Sequence, residues 1–179
     1  MYEWNPKSAN TTARKLILLF FIGAGALMLV TMLFPSVPFR WVFQLIALGL
    51  LSAAIFFVTR YVTKSFLYRI ETTADGSADL TVTEISSGGK RRITVCRIGL
   101  DHILTRELLD NPAKTSERLA SLKKEKIKYY DYTVEYQSAE SILLIVNEGG
   151  EEIALRLSFD ADLFALLRPK KEDNTESPS

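Results

Sequence analysis

The sequence predicts a membrane α-hairpin followed by a β-rich α+β domain, an antiparallel sandwich or partly open barrel closed by a C-terminal helix. Three observations predict it. Two apolar runs, Leu16–Phe34 and Trp41–Thr59, contain no charged side chain. Period-two alternation broken by glycine turns fills most of the stretch from residue 66 to residue 159. Asp160 then opens an apolar helical pattern that Pro169 closes.

Each apolar run is long enough to cross the roughly 30 Å hydrocarbon core as a helix. The first holds twelve Leu, Ile, Phe or Val residues and the second eleven. At about −0.3 to −0.6 kcal/mol for each such residue, insertion is favoured by several kcal/mol per run. The first run is too long for the apolar core of a secretory signal, and a second follows at once, so it is read as a span rather than a cleaved leader. Lys7, Arg14 and Lys15 precede the first span, while Arg60, Lys64 and Arg69 follow the second. The intervening turn, marked by Pro35 and Pro38, carries only Arg40. This asymmetry predicts a multi-pass cytoplasmic-membrane protein with both termini in the cytoplasm. Tyr2, Trp4, Trp41, Tyr61 and Tyr68 are expected at headgroup level. Gly23, Gly25, Gly49 and Ala53 supply small surfaces for close helix packing, first within the hairpin and alternatively between copies.

The expected organisation is a cytosolic segment 1–15, the two-span hairpin 16–62, the cytosolic β domain 63–168 and a disordered tail 169–179. The tail is polar throughout and lacks a group to bury. Residues 64–179 carry seventeen Lys/Arg against twenty Asp/Glu, so the whole-chain charge of +1 hides a mildly acidic cytosolic part.

Within that part, Phe66, Tyr68 and Ile70 alternate with Leu67, Arg69 and Glu71. A strand is expected over Asp79–Ile85, a hairpin turn at Ser86–Gly89, and a returning β-branched strand over Lys90–Ile98. Asp101–Leu109 fits helix or strand, and a turn at Asp101-His102 followed by an extended segment is the preferred reading. A short helix over Thr115–Lys124 follows the Asn111-Pro112 break. Tyr130, Tyr132, Val134 and Tyr136 then alternate along a strand. Ser141–Asn147 reads as a fully buried strand, and Glu148-Gly-Gly-Glu151 turns the chain into Ile153–Phe159. Asp160 is a good N-cap for Ala161–Arg168.

The segments Tyr68–Glu71, Asp79–Ile98, Tyr130–Tyr136 and Ile153–Leu167 resemble a group of uncharacterised bacterial membrane proteins. Those have an N-terminal two-helix hairpin and a pleckstrin-homology-like (PH-like) cytosolic domain. The layout is also similar to that of a two-span photosystem assembly factor. The resemblance implies a fold and a location, and no set of functional residues.

No catalytic constellation is visible. Cys96 and His102 are the only cysteine and histidine, so a disulfide is excluded within the chain and a four-ligand zinc site would need several carboxylates. A Cys96–His102 thiol pair is the weaker alternative to a core cysteine beside a turn histidine. The Gly-rich turns lack Walker spacing. The chain is therefore expected to be no enzyme and to hold no cofactor or metal. What remains is basic: Lys90, Arg91 and Arg92 in the first hairpin, Arg97 along its strand, and Lys123 and Lys124 later. Near a bilayer such groups meet anionic lipid headgroups or a protein partner. Nucleic acid is not expected, given the acidic domain. The expected function is a binding module tethered to the inner leaflet. The alternatives are an accessory or assembly subunit docking through the hairpin, and a thiol-dependent enzyme.

Overall fold

The computed structural model describes residues 1–6, 11–34, 38–73, 76–86, 89, 91–136, 138 and 140–168. Lys7, Pro35, Lys90 and the tail 169–179 lie outside them. Two helices, α1 (Thr11–Leu33) and α2 (Arg40–Phe57), pack as a hairpin. With the π turn Val58–Val62 that extends α2, both are long and apolar enough to cross a membrane. Ala24 of α1 and Ala47 and Ala54 of α2 are buried between mostly exposed apolar neighbours. A β-carbon on Gly23 would lie 3.4 Å from Leu50 Cδ1, an ordinary contact. Gly25 and Gly49, by contrast, face open space. Of the four small residues expected at the seam, Gly23 lies against the partner helix and Ala53 is half-buried. Gly25 lies about 100° around α1 from the buried Ala24, and Gly49 about 160° from Ala47 and about 140° from Ala54 around α2, so both point outward. Ala54→Leu is therefore expected to destabilise the hairpin by about 1–3 kcal/mol through overpacking. Gly49→Leu should not, and thermal melts in one detergent compare them.

The rest forms two open four-stranded sheets. The first has the order β1 (Tyr2–Trp4), β2 (Lys64–Thr72), β3 (Ala78–Ser86), β4 (Arg92–Gly99), antiparallel throughout. A 3₁₀ turn, Leu100–His102, leads to β5 (Ile103–Leu109) in the second sheet. A β-carbon on Gly99 would approach the exposed Asp101 carboxylate, which would have to turn aside. Then come α3 (Pro112–Lys124), β6 (Lys128–Asp131), β7 (Ser141–Glu148), β8 (Glu151–Ser158) and α4 (Ala161–Leu166). The second sheet has the order β5-β7-β8-β6. Its β6–β8 pair is parallel, which departs from the antiparallel expectation. The α3 crossover that carries the chain to the far edge requires it.

Phe66, Tyr68, Ile70, Leu80, Val82 and Ile98 of the first sheet share one core with Ile142, Leu144, Leu155 and Leu157 of the second. Leu163 and Leu167 cover it at one end. The outer face of the second sheet is also covered, by Leu119 and Leu122 of α3 on Leu143, Ile145 and Ala154. Ser141–Val146 is buried at every position for that reason. Gly149 and Gly150, with φ of 60° and 88°, form the two-residue turn between β7 and β8.

Two further departures from the sequence reading have clear causes. Tyr2 and Trp4, expected at headgroup level, are taken up by the β domain: β1 pairs with β2, the Trp4 ring lies tilted against Tyr68 with centres 5.6 Å apart, and Tyr2 Oη donates to Asp160 Oδ1 at 2.6 Å. Tyr68 itself is fully buried. The Tyr130–Tyr136 strand stops at Asp131, whose Oδ1 accepts from Thr133 N (2.9 Å) and Thr133 Oγ1 (2.7 Å) and turns the chain away. The hairpin is thus an insertion between two paired strands, β1 and β2.

Candidate functional site

The register fixes which ends of the sheets lie beside the hairpin. β2 begins at Lys64, two residues after the π turn, and Lys64 pairs with Ser86 at the end of β3. Arg92 pairs with Ile85, one residue further in. The β3–β4 turn, with Arg91 and Arg92, therefore lies at the hairpin end of the first sheet. Both arginines are exposed, and neither makes an ion pair among the described residues. Lys64 is held by Glu84 at 3.0 Å.

The second sheet is tied to the same end by Arg60. Its Nη2 donates to the Asp131 carbonyl at 2.6 Å and its Nη1 to the Thr133 carbonyl at 3.3 Å. The guanidinium lies 5.1 Å from the Tyr61 ring centre and 5.3 Å from that of Phe66. Phe57, Tyr61 and Tyr136 pack edge-on and tilted around the helix end, with ring centres 5.1–5.7 Å apart. Beyond Asp131, Arg156 Nε donates to Ser141 Oγ at 2.9 Å and its Nη1 lies 3.8 Å from Asp131 Oδ2.

The six basic residues singled out from the sequence do not form one patch. Arg91 and Arg92 are at the hairpin end, and Lys90 between Gly89 and Arg91 is outside the described residues. Arg97 lies five residues along β4, about 17 Å from Arg92. It is bound to Asp79 at 2.8 Å, toward the opposite end. Lys123 and Lys124 end α3, just before Lys128, which pairs with Glu151 beside the β7–β8 turn. That is the end away from Asp131. Sequence reading gave Arg60 only a topological role, and its carbonyl partners carry no sequence signal.

Cys96 and His102 belong to separate surroundings. The thiol is half-buried, and burial first, then the Glu148 charge, pushes it up to about 11. His102 is exposed, with Nδ1 3.1 Å from the Asn147 carbonyl and Nε2 3.8 Å from Asp101 Oδ2. Such a thiol is the reverse of an activated nucleophile. Among the described residues no cluster of three or more His, Cys, Asp or Glu could hold a metal.

Fold and site together define a class: two helices capable of crossing a membrane, inserted in the first strand connection of a two-sheet β domain. No family model matches the chain, and it matches neither a curated protein nor a solved structure.

Proposed function

We propose that this is a non-enzymatic integral membrane protein whose cytoplasmic β domain, PH-like in character, rests its hairpin-end turn on the anionic inner leaflet. The observation that carries this reading is the register: Arg91 and Arg92 are brought level with the start of β2, two residues past the π turn that extends α2. Basic residues flanking the hairpin favour the cytoplasmic side. The pairing of β1 with β2 keeps both ends of the hairpin on one side, as two crossings require. Two arginines contribute about 2 kcal/mol against anionic lipid, or roughly 30-fold, within a Debye length of about 8–10 Å.

The test uses the full chain, since removing residues 1–63 would delete β1. In nanodiscs containing anionic phospholipid, amides of Ser86–Arg92 exchange more slowly than in purely zwitterionic discs. The difference disappears in high salt and in the double variant Arg91→Glu, Arg92→Glu. Equal exchange in both lipids refutes the leaflet reading.

A second reading is an accessory or assembly subunit. It is favoured by the outward-facing Gly25 and Gly49 and by the outer edges of β4 and β6, which pair with no strand among the described residues. Cross-linking in native membranes would then capture a partner along the hairpin or at those edges.

A further inference from the structure

The outer edges of β4 and β6, unpaired among the described residues, face each other across a cleft of about 370 Å³. Val95, Tyr130, Tyr132 and Leu155 supply its apolar walls, and Glu148 and Cys96 also line it. The cleft opens where β4 bulges: Val82 pairs with Cys96 and Thr83 with Thr94, which leaves Val95 unopposed. The Val95 carbonyl accepts from Tyr132 Oη at 3.4 Å, a long contact that a backbone amide can replace. The rings of Tyr130 and Tyr132 are parallel within 4°, with centres 6.3 Å apart, and Tyr130 is 45 % exposed.

Charge decides the occupant. Arg97, the cation on the lip, is already neutralised by Asp79. Glu148 forms no ion pair among the described residues and stands opposite Glu151 in register, a like-charge arrangement. Only Glu151 of these two has a cation, Lys128. The cleft therefore offers two aromatic faces beside a carboxylate with no cation partner among the described residues, a setting for a cation over π systems.

We propose that this cleft binds an extended peptide segment of a protein partner, paired along the edge of β4. One arginine or lysine side chain of that segment lies over Tyr130 and Tyr132 and reaches Glu148. This gives the partner-binding reading a site and does not depend on the leaflet reading. Its test therefore uses zwitterionic nanodiscs, where failure of lipid contact has no bearing.

Cys96, the only cysteine, lines the cleft and reports its occupancy. The probes are acetyl-Ser-Thr-Val-Arg-Val-Thr-Ser-amide and the same peptide with glutamate replacing arginine. With the full chain in discs, the arginine peptide slows alkylation of Cys96 by iodoacetamide at least about threefold, as occupancy near twice its Kd requires. The glutamate peptide does not. Glu148→Lys, which also relieves the repulsion from Glu151 and so keeps the fold, reverses the order of the two peptides. Tyr130→Ala weakens protection by the arginine peptide. No protection by either peptide, equal protection by both, or an unchanged order in Glu148→Lys overturns the proposal.

Discussion

Replacing Tyr68 with alanine destabilises the β domain by about 4 kcal/mol, the largest single-residue effect expected in this chain. Tyr68 is fully buried where the two sheets meet. Its hydroxyl donates to the Tyr132 carbonyl at 2.8 Å and accepts from Ser158 N at 3.2 Å, so one side chain bonds to the backbone on both sides of the second sheet's edge. Tyr68→Phe keeps the ring and strands those two backbone groups, at a cost of about 2 kcal/mol. A domain of this size has only about 5–15 kcal/mol in total, so the alanine variant loses a large share of it. Urea unfolding followed by Trp4 fluorescence, in a Trp41→Phe background, measures both, since the Trp4 ring packs against Tyr68. An alanine variant no less stable than the phenylalanine variant contradicts the packing argument.

The same hydroxyl gives an alkaline signature. Burial pushes it up to about 12, against partial opposition from the Ser158 hydrogen bonds. The folded state therefore holds the proton that the unfolded chain releases near pH 10. Its contribution is complete below about pH 10 and is lost as pH rises toward 12, some 2–3 kcal/mol in all. Tyr68→Phe unfolds with a flatter pH dependence over that window.

The hairpin was legible because nineteen uncharged residues in a row leave few alternatives, and β7 because every position from Ser141 to Val146 is apolar or small. The turn at Asp101-His102 followed by a strand was also legible. What failed was local context. Three residues, Tyr2–Trp4, are too few to show a period, so the strand they add to the first sheet went unseen. The alternating tyrosines after Lys128 predicted too long a strand, because the Asp131 side chain captures the backbone of Thr133 and ends it. The basic residues posed a different problem. Arg92 and Lys124 fall at opposite ends of the domain through strand register and the α3 crossover, and neither is encoded in residue spacing.

Arg60→Ala is the second large effect, and it separates the hairpin from the domain without unfolding either. Two charge-assisted hydrogen bonds end on carbonyls of residues 131 and 133, and two rings pack on the guanidinium. Their loss costs about 2–3 kcal/mol, felt at this joint. The carbonyl contact at 2.6 Å is much shorter than the 3.9 Å approach to the Asp131 carboxylate, so the carbonyls carry most of it. Arg60→Lys consequently behaves nearly as the alanine variant, because a single ammonium cannot span both acceptors in the same geometry. Asp131→Asn disturbs the joint less than either. Hydrogen exchange distinguishes these cases: amides of Lys128–Tyr136 exchange about 30-fold faster in Arg60→Ala, while those of β3 and β7 keep their protection. Anionic discs add a functional readout, since a domain free to swing no longer holds the Ser86–Arg92 turn at the leaflet and its lipid-dependent protection declines. Unchanged exchange at Lys128–Tyr136 in Arg60→Ala would show that the aromatic packing of Phe57, Tyr61 and Tyr136 holds the joint alone.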